Sequence, residues 1–126
     1  IIFNKKKYSK GNFFDILNKN FKKNKIKFNM NENSVRDLIT LNDLYFYYKK
    51  MEKIKLKGCY NIGSKKGLSI KQILKYYYGD KLNRNKIKLS FKKNITNLTL
   101  TVNKLERQIG IFHKKVHKNI IRELQK

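Results

Sequence analysis

Proline and tryptophan are absent from the 126 residues, cysteine occurs once, and only 8 acidic residues face 32 lysines and arginines. Each shortage excludes something. One thiol, Cys59, closes no internal disulfide, and without a C-x-x-C pair or a Cys/His cluster a structural zinc site is ruled out. Cys59 lies in an apolar run and reads as a small buried hydrophobe. No apolar run approaches the roughly 20 residues of a membrane span, and no h-region marks a signal peptide. The expectation is a cytoplasmic protein with no membrane partner. The chain opens Ile1-Ile2-Phe3 without an initiator methionine, so it reads as a fragment or a processed product. Its length suits a single domain over 1–126.

Arginine is scarce as well. Only Arg36, Arg84, Arg107 and Arg122 are arginine among the cations that give a net charge of +24. Lysine, asparagine and isoleucine, the residues with A/T-rich codons, are abundant instead, so a mutational bias accounts for much of the charge. Readers of nucleic acid lean on arginine for bidentate contacts. The lysines are spread through every segment rather than gathered in one patch. The charge permits non-specific polyanion binding. A basic RNA-binding protein of ribosomal type is therefore carried as the alternative reading.

Periodicity predicts short, alternating elements. Phe13, Leu17 and Phe21 at i, i+4, i+8 predict an amphipathic helix, and Lys25–Phe28 alternates like a strand before the polar turn N-M-N-E-N-S. Val35–Thr40 reads as one extended segment. Leu44, Tyr47, Tyr48 and Met51 fall at helical spacing, an aromatic stripe better suited to core packing than to stacking bases. G-C-Y-N-I-G (Gly58–Gly63) reads as a strand between glycines. Ser69-Ile70-Lys71-Gln72 has the form of a capping box, with Ile70, Ile73, Leu74 and Tyr77 behind it and Gly79 as the stop. Lys86–Phe91 and Asn97–Val102 alternate as strands. A short helix ends at Gly110, and Val116, Ile120, Ile121 and Leu124 mark a closing helix. His113 and His117 share the i, i+4 spacing of a metal grip, but no carboxylate or cysteine is placed to complete it, and they read as solvated helix residues.

Two of these segments carry a resemblance. V-R-D-L-I-T-L-N-D-L followed by G-C-Y-N-I-G-S-K-K-G-L-S-I resembles the C-terminal part of the NAD-dependent sugar-nucleotide epimerases and dehydratases, the extended short-chain dehydrogenases. That family shows R-D-F-I-x-V-x-D-L and then G-x-Y-N-I-G-S-G-K-x-x-S-I. Arg36, Asp37, Ile39, Asp43 and Leu44 match the first motif. Gly58, Tyr60, Asn61, Ile62, Gly63, Ser64, Lys66, Ser69 and Ile70 match the second. I-I-F-N is similar to the strand end R-x-F-N, and T-V-N-K-L-E-R-Q-I-G-I-F-H-K to the segment near the family's end. The sequence departs at Lys5-Lys6-Lys7, where the family has Y-G-P, at Phe28-Asn29-Met30-Asn31, where it has Y-G-D-G, and at F-K-K-N (Phe91–Asn94), where it has R-P-G-D.

The resemblance implies an α/β fold: the small mixed α/β substrate-binding portion of an extended short-chain dehydrogenase, lacking the main Rossmann half. It makes 1–126 a single C-terminal substrate-binding region. Such a region covers a nucleotide-sugar while the missing N-terminal half holds NAD. The arginine of the R-D-F segment binds the diphosphate, which puts Arg36 in that role and Asn4 on a substrate-facing asparagine. Asp37, Asp43 and Asn61 read as structural. The glycine-rich dinucleotide turn is not in the sequence, nor is a Tyr-x-x-x-Lys pair where the family keeps one. No catalytic residue, cofactor-binding residue or metal ligand is therefore expected here, and the chain should be inert alone.

Overall fold

The computed structural model describes residues 1–3, 10–84 and 88–126. Along the chain run β1 (Ile2–Phe3), α1 (Phe13–Lys22), β2 (Lys25–Lys27), β3 (Val35–Arg36), β4 (Ile39–Thr40) and α2 (Leu41–Lys53). After a long irregular segment come β5 (Leu68–Ser69), α3 (Ile70–Tyr78), α4 (Lys81–Arg84), β6 (Lys88–Ser90), α5 (Asn103–Ile109) and α6 (His113–Gln125). This is the expected mixed α/β class.

The helices start where side chains satisfy their first N–H groups. Asn12 accepts from the Phe14 N–H at 3.0 Å and Thr40 from the Asp43 N–H at 3.0 Å. The capping box forms: Ser69 Oγ accepts from the Gln72 N–H at 3.1 Å, and Gln72 Oε1 accepts from the Ser69 N–H at 2.9 Å. Each such cap is worth about 1 kcal/mol. Gly79 ends α3 at φ +53, in the left-handed region where a side chain is strained.

The core lies where the apolar faces of α1, α3 and α6 meet. Phe14 and Leu17, Ile70, Ile73 and Leu74, and Val116, Ile120 and Leu124 are all buried. Helix α6 packs on α3 and on β4. Phe14 lies 5.2 Å from Tyr77 between ring centroids, and Phe21 stacks on Tyr78 at 4.6 Å. Such ring pairs add about 0.5–1.5 kcal/mol beyond their buried area. The aromatic stripe of α2 divides: Tyr47 is fully buried, whereas Tyr48 is 56% exposed.

Among the described residues the strands make three two-stranded sheets: β1 with β4, parallel; β2 with β6, parallel; and β3 with β5, antiparallel. The Val35–Thr40 segment is thus two strands in two sheets, with Asp37 and Leu38 at the crossing. The two faces need this break, because Leu38 and Ile39 are both buried in sequence and cannot both point inward from a flat strand.

Several expectations are corrected. Gly58–Gly63 is not a strand. It is an irregular segment pinned by side chains: Asn61 Nδ2 donates to the Thr101 carbonyl at 3.3 Å, and Lys104 Nζ donates to the Cys59 carbonyl at 3.1 Å while lying 4.6 Å from the Tyr60 ring centroid. Cys59 is exposed, because this pinning turns Tyr60 and Ile62 toward the core instead. Asn97–Val102 forms only an isolated bridge, Arg36 with Leu98, made by Leu98 N–H to Val35 O and Asp37 N–H to Leu98 O; the next donor, the Leu100 N–H, goes to the Asp37 side chain instead of continuing the ladder. Of the expected Lys86–Phe91 strand, Lys88–Ser90 is formed and exposed rather than half-buried, while Lys86 and Ile87 lie outside the described residues.

Candidate functional site

The site is built around two neighbours, Arg36 and Asp37, whose side chains do different work. Asp37 is 4% exposed and lies at the β3–β4 break. Its Oδ1 accepts from the Ser64 N–H at 2.8 Å and the Ser64 hydroxyl at 2.6 Å; its Oδ2 accepts from the Leu100 N–H at 3.0 Å. Ser64 Oγ in turn accepts from the Gly67 N–H at 3.1 Å. The carboxylate thereby ties three remote segments together. Gly63 is glycine because a Cβ there would stand 2.7 Å from Asp37 Oδ2. Gly67, at φ +62, would bring a Cβ within 2.6 Å of Val35 Cγ1.

Arg36 points to the other side, to the junction of two polar loops. Its Nη1 donates to the carbonyls of Val35 at 2.8 Å and Thr96 at 2.7 Å. Its Nη2 donates to Thr96 Oγ1 at 2.8 Å and Met30 Sδ at 3.1 Å. The loops are stitched to each other by Asn31 N–H to Asn94 O at 2.9 Å and Lys92 N–H to Met30 O at 3.2 Å. Every one of these acceptors on Arg36 is neutral, and among the described residues no carboxylate pairs with it. A planar cation is thus oriented without being neutralised, beside exposed Lys92 and Lys93. Four of the five guanidinium N–H donors are spent on these acceptors, so what Arg36 offers an anion is its unneutralised charge and its Nε–H rather than a two-pronged fork. The turn Phe28–Asn31 and the Phe91–Asn94 loop, both singled out in the sequence, are brought to Arg36. Asn4 lies outside the described residues.

Asp43 is structural: its Oδ2 accepts from Thr40 Oγ1 at 2.6 Å and its Oδ1 from Asn119 Nδ2 at 2.7 Å, joining α2 to α6. The two histidines are half-buried rather than freely solvated, and they take on specific surroundings. His113 Nδ1 lies 2.5 Å from Glu106 Oε1, and Lys65 Nζ is 3.6 Å from Glu106 Oε2. Burial alone would raise the Glu106 carboxyl, but hydrogen bonds from His113 and the charges of His113 and Lys65 outweigh it and hold the carboxyl below its ordinary 4.5. His117 Nδ1 is buried without a hydrogen-bond partner. Burial, then the charge of Lys66, holds His117 below its ordinary 6.5 against an opposing pull from Asp37. Sequence reasoning missed this corner because Glu106, only seven residues before His113, lies across the Gly110 break between α5 and α6, where helical periodicity does not carry. Among the described residues no group of histidine, cysteine and acidic side chains could hold a metal, and no helix is long and apolar enough to cross a membrane.

A dinucleotide does not fit the strand-to-helix junctions that are described. Such a cofactor lays its pyrophosphate on the open N–H groups of a helix after a glycine-rich turn. At β5–α3 the Ile70, Lys71 and Gln72 N–H groups go to the Ser34 carbonyl, the Glu32 carbonyl and Ser69 Oγ, and Ile70 is fully buried; at β4–α2 Thr40 Oγ1 takes the Asp43 N–H.

No family model matches the sequence, and no curated protein matches it. Solved structures do match the fold. An NAD-dependent NDP-hexosamine 5,6-dehydratase involved in tunicamycin biosynthesis is 14% identical with a TM-score of 0.66, over 98% of this chain and 43% of that one. An epimerase candidate from Burkholderia cenocepacia J2315 is 14% identical with a TM-score of 0.63, over 98% of this chain and 44% of that one. The RMD protein of Pseudomonas aeruginosa, solved with NADPH, is 15% identical with a TM-score of 0.50, over 82% of this chain and 36% of that one. The chain thus has the fold of part of such enzymes and spans less than half the length of each.

Proposed function

We propose that this chain is the C-terminal, substrate-covering portion of an NAD-dependent nucleotide-sugar epimerase or dehydratase, with Arg36 holding the diphosphate of the nucleotide-sugar. The observation that carries this is the setting of Arg36: a guanidinium held by four neutral acceptors and left with its charge unspent. The fold likeness and the order of the R-D and N-I-G-S motifs support the same reading. Asn4 would face the sugar, NAD would sit in a separate N-terminal half, and this portion alone would be inert. The lone thiol Cys59 suits a reducing compartment such as the cytoplasm. Among the described residues β1 pairs with β4 alone, and its other edge suits pairing with further strands of that half.

Calorimetry with UDP, uridine and a single-stranded RNA tests this reading. UDP should bind saturably and uridine should not, and Arg36→Ala should weaken UDP about 10-fold or more, as loss of a charge-assisted contact of roughly 1.5–3 kcal/mol requires. RNA that binds tighter than UDP, with a steep salt dependence unchanged by Arg36→Ala, would favour the RNA-binding reading and overturn this one.

A further inference from the structure

A second cationic site lies apart from Arg36, in a cavity of about 400 Å³ lined by Ser64, Lys66, His113, Lys114, His117 and Lys118. Three of these six are lysines, and none is acidic. The nearby carboxylates are already engaged. Glu106 is held by His113 and Lys65, and Asp37 by Ser64 and Leu100. Ser64 is also satisfied, donating to Asp37 and accepting from Gly67. Lys66, Lys114 and Lys118 thus line an opening at which, among the described residues, none of them has an ion-pair partner.

The surrounding structure is arranged at a cost that an anion would relieve. Lys114 and Lys118 are four residues apart on α6, a like-charge pair that destabilises a helix by about 0.2–0.5 kcal/mol. The N-terminus of α6 is already met by a negative charge, since Glu106 Oε1 accepts from the His113 N–H at 3.3 Å, so the unmatched charge here is that of the lysines. His117 Nδ1, in the wall of the cavity, is buried without a partner. Burial, then the charge of Lys66, lowers the pKa of this ring, with Asp37 opposing.

We propose that this cavity binds a phosphate monoester of a small molecule, with Lys66, Lys114 and Lys118 around the phosphate and the ring of His117 beside it. Lysine suits the task as a point charge on a mobile stem, able to follow a tetrahedral dianion. The volume exceeds what a bare phosphate fills and lies within the range of small-ligand pockets, so the ester's organic part has room against the histidine rings. The site is independent of Arg36 and of the reading built on it.

The test uses inorganic phosphate as the probe, against chloride at matched ionic strength, with the His117 ring signal followed by NMR. Phosphate should bind saturably, and its occupancy should raise the pH at which the His117 ring titrates, because a dianion favours the imidazolium. Lys66→Gln with Lys118→Gln should weaken binding about 10-fold or more, while Lys22→Gln with Lys53→Gln, which removes the same charge from exposed helix ends, should change it less than about 2-fold. Arg36→Ala should leave it unchanged. Glucose 6-phosphate should bind at least as tightly as inorganic phosphate. Equal weakening by both lysine pairs, or a His117 titration indifferent to phosphate, would mean diffuse charge attraction and would overturn the site. RNA binding that tracks Lys66 and Lys118 while phosphate does not bind would also overturn it.

Discussion

Asp37 and Ser64 are 27 residues apart in sequence and share two hydrogen bonds, both accepted by Asp37 Oδ1, from the Ser64 backbone at 2.8 Å and from its hydroxyl at 2.6 Å. The aspartate that follows Arg36 is thus the partner of the serine that closes N-I-G-S. The two motifs belong together because one carboxylate needs the other's donors. By fixing the β3–β4 break, that bond also fixes the strand that carries Arg36.

Asp37→Ala should therefore cost more than a typical buried polar change. It strands the Ser64 and Leu100 N–H groups, each worth about 1–3 kcal/mol when left unsatisfied in the interior. The expected loss is about 3 kcal/mol or more by chemical denaturation, and Ser64→Ala should lose about 1–2 kcal/mol. Gly63→Ala should also destabilise, by about 1–3 kcal/mol, because its Cβ would press on Asp37 Oδ2. A wild-type midpoint in Asp37→Ala would refute this hub.

Tyr47→Phe should go the other way. Tyr47 is fully buried, its hydroxyl has no hydrogen-bond partner, and burial followed by the charges of Glu106, Asp43 and Asp37 pushes its pKa up to about 12. Removing an unsatisfied buried hydroxyl should leave stability unchanged or raise it by about 1 kcal/mol. A clear fall in melting temperature would show a partner for that hydroxyl.

Acid should weaken the fold in two windows. The Glu106 carboxyl titrates lower in the folded chain than its ordinary 4.5, so the folded state holds fewer protons there than the unfolded one. Its contribution is complete above 4.5 and is lost as pH falls through the lower folded value. His117 is also depressed, from 6.5, so its contribution is present above 6.5 and disappears as pH falls through its folded value. Denaturation followed across both windows should show Glu106→Gln less stable than wild type at neutral pH, with a flatter decline in acid. His117→Asn should flatten only the window below 6.5.

What could be read beforehand was local. The Ser69–Gln72 capping box, the Gly79 stop and the apolar faces of α1, α3 and α6 depend on residues within a few positions of one another, and sequence periodicity reports such relations directly. The strand expected at Gly58–Gly63 failed because backbone pairing depends on what a distant segment offers. The Leu98 and Leu100 donors went to Val35 and Asp37 instead, and Cys59 was left exposed. The role of His113 was hidden for a different reason: its partner, Glu106, is only seven residues away but on the preceding helix, so the turn between them and not helical spacing brings them together. Arg36 was legible as a candidate through the motif it shares, but not its four neutral acceptors, three of which lie on Thr96 and Met30.

The most direct test follows the Arg36 Nε–H signal by NMR as UDP is added to the intact chain. The proposed function predicts that this signal and the amides of Met30 and Thr96 shift together and saturate with one affinity, while uridine leaves them in place. Shifts scattered over the lysine-rich surface with Arg36 unmoved would contradict it.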